Sequence, residues 1–115
     1  MNKIEAIIRP ERLTAVKDAL AEEGLVGINV TPVTGRGNQK GVQMVGGPRG
    51  VGTYVVDMLP KVKLEMVVRD EHTQKAIDII IEYARTDNIG DGKIFVSPVA
   101  NAIRIRTGEQ GNDAL

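Results

Sequence analysis

The chain has 115 residues, with 15 lysines and arginines against 15 aspartates and glutamates, two tyrosines, one phenylalanine and no cysteine. That length bounds it to one domain, residues 1–115, and balanced charge with so few rings argues against a nucleic-acid binder that stacks bases. Without cysteine there is no disulfide framework and no thiolate metal site. No apolar run nears the roughly 20 residues of a membrane span and no signal-peptide pattern opens the chain, so a cytoplasmic protein is expected.

Residues 2–9 alternate, with Ile4, Ala6 and Ile8 on one face and Lys3, Glu5 and Arg9 on the other, which is the period of a strand. Pro10 suits a first helical turn, where its missing N–H costs nothing. Leu13, Val16, Ala19 and Leu20 then recur at helical spacing, and Gly24 is placed to end the helix in a left-handed cap. Residues 26–33 read as a second strand. The stretch 36–53 has no consistent period, and together with Gly35 it holds seven of the chain's 13 glycines. An insertion of that length between neighbouring strands is a functional loop, expected here as a mobile hairpin that gains order on binding.

Residues 55–68 read as one long third strand with Val62, Leu64, Met66 and Val68 on its apolar face and Pro60 marking a bend or an unpaired edge. A second helix follows over 71–84, turning Ala76, Ile77, Ile80 and Ala84 inward. Residues 93–99 form a fourth strand, 102–106 a short fifth, and 108–115 a polar, mobile tail. The order is βαββαβ plus one strand, an α+β, ferredoxin-like architecture with two helices on one face of an antiparallel sheet. Ile7 and Val67 lie on the other face, and an apolar open face calls for a second subunit.

The chemistry concentrates in Thr86-Asp-Asn-Ile-Gly-Asp-Gly-Lys-Ile-Phe-Val96. Gly90 and Gly92 allow backbone amides to share one concavity, and Lys93 adds a point charge at its rim, a combination suited to an oligophosphate. It is not a P-loop, since Ile94 stands where a magnesium-holding Ser or Thr would be. An ordinary turn before a strand is the plain alternative. Against it stand a second glycine-rich basic loop, Gly35-Arg-Gly-Asn-Gln-Lys-Gly41, and two downstream arginines, Arg104 and Arg106. Two apart on a strand, those arginines would project from one face about 6–7 Å from each other. No acid lies in 103–107, so they grip an anion or edge a solvated strand. Arg49 is the single charge of 46–53, either a docking group on an adaptable arm or an aid to solubility. His72 is the lone histidine, on a helix start, and no acid pair, Cys or clustered His supports catalysis. A non-enzyme is expected.

Four stretches taken together carry a resemblance. They are Gly35-x-Gly-x-Gln-Lys-Gly41, Tyr54-Val-Val-Asp-Met-Leu-Pro-Lys61, the 86–96 run, and Val99…Ala102-Ile-Arg-Ile-Arg-Thr-Gly108. The chain resembles the PII signal-transduction family of nitrogen regulators over essentially its whole length. The resemblance implies a homotrimer with ATP or ADP in each inter-subunit cleft and, beside magnesium-ATP, 2-oxoglutarate. It also implies a long T-loop, about 36–53, that engages an ammonium transporter or a nitrogen-metabolism enzyme. No nucleic acid is implied, and a membrane is met only through a transporter. By resemblance the nucleotide meets Ile7, Asn29, Gly35, Gly37, Asn38, Gln39, Val67, Gly90, Asp91, Gly92, Lys93, Arg104 and Arg106. Gln39, Lys40, Gly41 and Lys61 would take 2-oxoglutarate, with Gln39 a magnesium ligand beside the phosphates. Lys40 would pair with Glu65 when effector is absent. From the residues alone, Gln39 reads rather as a solvated loop residue and Lys61 as an outward strand charge, and the resemblance reverses that.

The departures fall in the loop. It is longer and richer in glycine than is usual, and the family's Tyr-Arg-Gly-Ala-Glu-Tyr survives only as Pro48-Arg49-Gly50…Tyr54. Tyr54 is the candidate modification site. Asn29, Asn38 and Asp87 replace a customary threonine, arginine and glycine. Two other readings stand beside the transporter regulator: a nitrogenase-regulating member of the family, and a small nucleotide-using enzyme, for which no catalytic base is visible. An RNA-binding ferredoxin-like domain is disfavoured by the missing aromatics and zero net charge.

Overall fold

A computed structural model of the chain describes residues 1–36, 42–45, 53–56 and 58–115. The first strand, β1 (Asn2–Ile8), buries Ile4, Ala6 and Ile8 and leaves the alternate residues on the opposite face. Pro10 opens a single 3-10 turn (Pro10–Arg12) that leads into α1 (Leu13–Glu22), as its fixed φ and absent N–H favour. The helix ends where Gly24 takes φ +79°. The Gly24 N–H donates to Ala21 O at 2.9 Å and the Leu25 N–H to Leu20 O at 3.0 Å. This paired pattern is a Schellman cap, and it turns Leu25 into the core beside Leu20.

Three strands follow: β2 (Ile28–Gly35), β3 (Val42–Val45) and β4 (Thr53–Val56). β5 (Leu59–Val68) is the longest strand and buries Val62, Leu64, Met66 and Val68 at strict alternation. A second 3-10 turn (Asp70–His72) feeds α2 (Thr73–Ala84), which buries Ala76, Ile80 and Ala84. β6 (Lys93–Pro98) closes the sheet, whose strand order is β2-β5-β1-β6, antiparallel throughout. This is the expected ferredoxin-like α+β fold. Both helices pack on one face, where Ile4, Ile8, Leu20, Leu64 and Ile80 are essentially sealed from solvent. Each such side chain contributes about 1.5–3 kcal/mol through burial.

Three expectations are corrected. The long strand over 55–68 is two strands: Val55 and Val56 belong to β4, which pairs with β3 as a separate ribbon (Val42↔Val56 to Val45↔Thr53), while β5 begins at Leu59 and pairs with β2. The break thus lies between Val56 and Leu59, while Pro60 sits inside β5 opposite Thr34. β3 was hidden in the aperiodic stretch because four residues set among glycines are too few to show a period. The fifth strand over 102–106 does not form: Ile103 makes an isolated bridge to Gln110 around a turn at 105–107. The expected tail folds back with it, Gly111–Ala114 forming a 3-10 turn.

The helix-free face of the sheet is striped. Lys3 lies within 3.8 Å of Glu5 and 3.7 Å of Glu65, while Ile7 and Val67 are half-buried and Phe95 is 55% exposed.

Candidate functional site

The site begins where β1 ends. Arg9 is the first residue past that strand, and Lys61 lies on β5 one position beyond Val62, the register partner of Ile8. Between them the chain arrives from α2 through 85–92 and enters β6 at Lys93. The turn needs three residues with positive φ: Asp87 at +66°, Gly90 at +105° and Gly92 at +100°. At Gly92 the requirement is also steric, because a Cβ there would stand 1.6 Å from the carbonyl oxygen of Ile7. Asp87 occupies a left-handed position where glycine is easiest, and aspartate is among the few other residues to adopt it readily. Aspartate thus takes a conformation that glycine would adopt equally well.

Side chains then bind the loop to the sheet. The Arg9 Nε–H donates to Asp91 Oδ1 at 3.0 Å and its Nη2 to Ile89 O at 2.9 Å. The Lys61 Nζ donates to Gly90 O at 2.6 Å. Asp91 also accepts from the Thr86 N–H at 2.7 Å, from the Asp87 N–H at 2.9 Å and from the Thr86 hydroxyl. Burial pushes the Asp91 carboxyl up, but hydrogen bonds from the Thr86 side chain and backbone, Arg9 and Asp87 outweigh it and hold it far below the usual carboxylate range. For Lys61, burial and then the neighbouring Arg9 charge lower the ammonium from its ordinary value, partly offset by Glu11 and Asp91. Three cations, Arg9, Lys61 and Lys93, thus lie around a glycine turn whose Asp91 carboxylate is already engaged by donors of the protein. An anion suits that arrangement.

The sequence-predicted residues divide into two groups. Ile7, Gly35, Lys61, Gly90, Asp91, Gly92 and Lys93 stand together at this end: Ile7 pairs with Lys93, and Gly35 approaches the Lys61 side chain. Asn29 and Val67 lie at the other end, Asn29 opposite Glu65 and Val67 opposite Lys3. Lys61 and Val67 are six positions apart on β5, roughly 20 Å along a strand. Arg104 and Arg106 follow from β6 at that other end, where the Met1 carbonyl accepts the Val99 N–H at 3.1 Å. Neither arginine is on a strand. The Arg104 N–H donates to Glu109 O at 2.8 Å, and its guanidinium lies 3.4 Å from the Glu109 carboxylate and from Leu115 O. No acid lies within 103–107, and the acidic neighbour of Arg104 is Glu109, from across the turn. Gly37, Asn38, Gln39, Lys40, Gly41 and Arg49 lie outside the described residues, and so does any Lys40–Glu65 pair. Tyr54 is on β4, paired with Met44.

The residues that sequence reasoning missed are Arg9 and Thr86. Arg9 read as one more outward charge of a strand. The available signal was an acid, Asp91, between two glycines of a loop meant for an anion, which must find donors nearby.

A ferredoxin-like domain with a built, cation-lined glycine turn is the class so defined. The model of the family described as nitrogen regulatory protein P-II matches residues 1–109. Nitrogen regulatory proteins P-II of Cereibacter sphaeroides and Rhodobacter capsulatus are 55% and 54% identical to the chain, and that of Azospirillum brasilense 53%, each alignment covering the whole of both chains. The chain belongs to the nitrogen regulatory protein P-II family.

Proposed function

We propose that the protein is a cytoplasmic sensor of adenylate state and 2-oxoglutarate, acting as a homotrimer that controls a nitrogen-metabolism partner through the loop around 36–53. The observation that carries this reading is the division of the site. The glycine turn with Arg9, Lys61 and Lys93 lies at one end of the sheet, and Asn29 and Val67 lie at the other, from which β6 leads on to Arg104 and Arg106. A nucleotide that uses both groups must sit between two copies, one end of the first against the opposite end of the second. Such a head-to-tail contact forms a ring when a threefold rotation relates the copies, which is the trimer proposed. β2 and β6 are the outer strands of the four-stranded sheet, and the exposed Val30 and Val96 supply apolar area along those edges.

In this reading the glycine turn and Lys93 take the phosphates of ATP or ADP, and Arg104 and Arg106 of the next copy close over them with bidentate forks. Lys61 takes a carboxylate of 2-oxoglutarate in exchange for the Gly90 carbonyl. Among the described residues no cluster of three or more His, Cys, Asp or Glu could cage a metal. A magnesium ion fits only as a companion of the phosphates, with Gln39 as its protein ligand. Among the described residues no helix is long and apolar enough to cross a membrane, so an ammonium transporter would be a partner rather than part of the molecule. The relatives' shared name is a regulator's, which agrees with a signalling role and not with turnover.

Titration calorimetry with ATP, ADP and 2-oxoglutarate, singly and in pairs, tests the reading. ATP and 2-oxoglutarate must tighten each other by one factor, because coupling is reciprocal, and ADP must support less of it. Absence of ATP binding, or 2-oxoglutarate bound equally well with and without ATP, overturns it.

A further inference from the structure

Asp91 stands between the two glycines that a phosphate would approach, and a carboxylate carries the wrong charge to meet one. The structure turns that charge inward. Both oxygens face donors of the protein: the Thr86 hydroxyl and Arg9 Nε–H (3.0 Å) on Oδ1, and the N–H groups of Thr86 (2.7 Å) and Asp87 (2.9 Å) on Oδ2. With about four lone-pair sites, the carboxylate is saturated. Arg9 in turn holds the Ile89 carbonyl at 2.9 Å. One group thus gathers the first residues of the turn, its middle and the end of β1. It does so across Asp87, whose backbone is in the left-handed region at φ +66°.

We propose that Asp91 is a positioning residue of the nucleotide site: with Arg9 as its cation, it forms the 86–93 turn before any nucleotide arrives. This rests on the nucleotide reading above and assigns Asp91 no contact with the ligand. A loop ordered in advance spares the ordering entropy that binding would otherwise have to overcome. The strongly lowered proton affinity of the carboxyl agrees with a group selected for its charged form.

The sign of one substitution separates positioning from simple electrostatics. Asp91→Asn removes a negative charge near a polyanion, which by Coulomb attraction alone tightens ATP. Positioning requires the opposite, because the new NH2 group faces donors at one of the two oxygen positions, either the Thr86 and Asp87 N–H groups or Arg9 and the Thr86 hydroxyl, and the remaining bonds lose their charge assistance. Loss of charge-assisted hydrogen bonds of this kind is expected to raise the Kd for ATP roughly tenfold to a hundredfold. Thr86→Val, which removes one donor and keeps the bulk, raises it less and serves if Asp91→Asn fails to fold. Amide hydrogen exchange without nucleotide gives an independent reading: the 86–93 amides exchange faster in both variants, while those of β1 and β5 keep their wild-type rates. Equal or tighter ATP binding by the folded variants, or unchanged exchange in the turn, overturns the proposal. Wild-type protein that fails to bind ATP overturns the nucleotide reading and the positioning role with it, and the exchange rates then tell that failure apart from an error about the turn.

Discussion

The two ends of the sheet are built differently. At one end, residues 86–93 are clamped by Arg9, Lys61 and a saturated Asp91, and a glycine packs directly on the backbone of β1. Beyond the other end, Arg104 sits on a turn closed by its own backbone bonds, Arg104 N–H to Glu109 O at 2.8 Å and Gly108 N–H to Arg104 O at 2.7 Å. Among the described residues, its guanidinium is held only by an exposed glutamate at 3.4 Å and the Leu115 carbonyl at 3.4 Å. The first arrangement cannot yield without breaking several bonds at once. The second can exchange Glu109 for a stronger anion at little cost, since an exposed ion pair contributes only about 0–1 kcal/mol. In the proposed nucleotide site, these two groups would supply one firmly held half and one whose guanidinium is easily released.

The largest expected difference between the ends concerns glycine. Gly92→Ala places a methyl group 1.6 Å from the Ile7 carbonyl oxygen at φ +100°, whereas Gly108→Ala, at φ +73°, meets nothing within 4 Å. Urea unfolding should show a loss of about 3 kcal/mol or more for the first and about 1 kcal/mol for the second. Equal losses would remove the distinction between the ends.

Next comes Arg104→Ala, expected to weaken ATP by roughly 1.5–3 kcal/mol in calorimetry while unfolding changes by less than about 1 kcal/mol. A large loss of stability with unchanged affinity would make the turn a structural strap instead.

A smaller effect appears in acid. Asp91 titrates below its unfolded value, so its contribution is full above about pH 4 and is lost as pH falls through the lower folded value. The stability gap between wild type and Asp91→Asn is therefore widest near neutrality and shrinks below that pH. Parallel stability curves across the acid range would contradict the saturated carboxylate.

The smallest effect on the body should follow from replacing 46–52 by an Asn-Gly turn, which suits the Val45↔Thr53 closure of the ribbon. Stability and ATP affinity should stay within error, and partner capture should disappear, as it should for Arg49→Ala. Retained capture would move the docking surface to the body of the molecule.

The sequence by itself determined the hydrophobic alternation of β1 and β5, both helices, the Gly24 cap and the place of the glycine turn. Each of these is local: a period, a cap or a turn is written in residues a few positions apart. Tertiary structure alone decided where β4 stops being β5, because Val55 and Val56 have the same pattern as the strand beyond them and only their partners on β3 differ. It decided that Ile103 pairs with Gln110, which put Glu109 beside Arg104. It also decided the inward turn of Asp91, since Arg9 lies 82 positions away and reaches it only when β1 and β6 pair. Strand partners and half-buried ion pairs such as Arg9–Asp91 depend on which residues the fold brings together, and neither period nor composition along the chain specifies that.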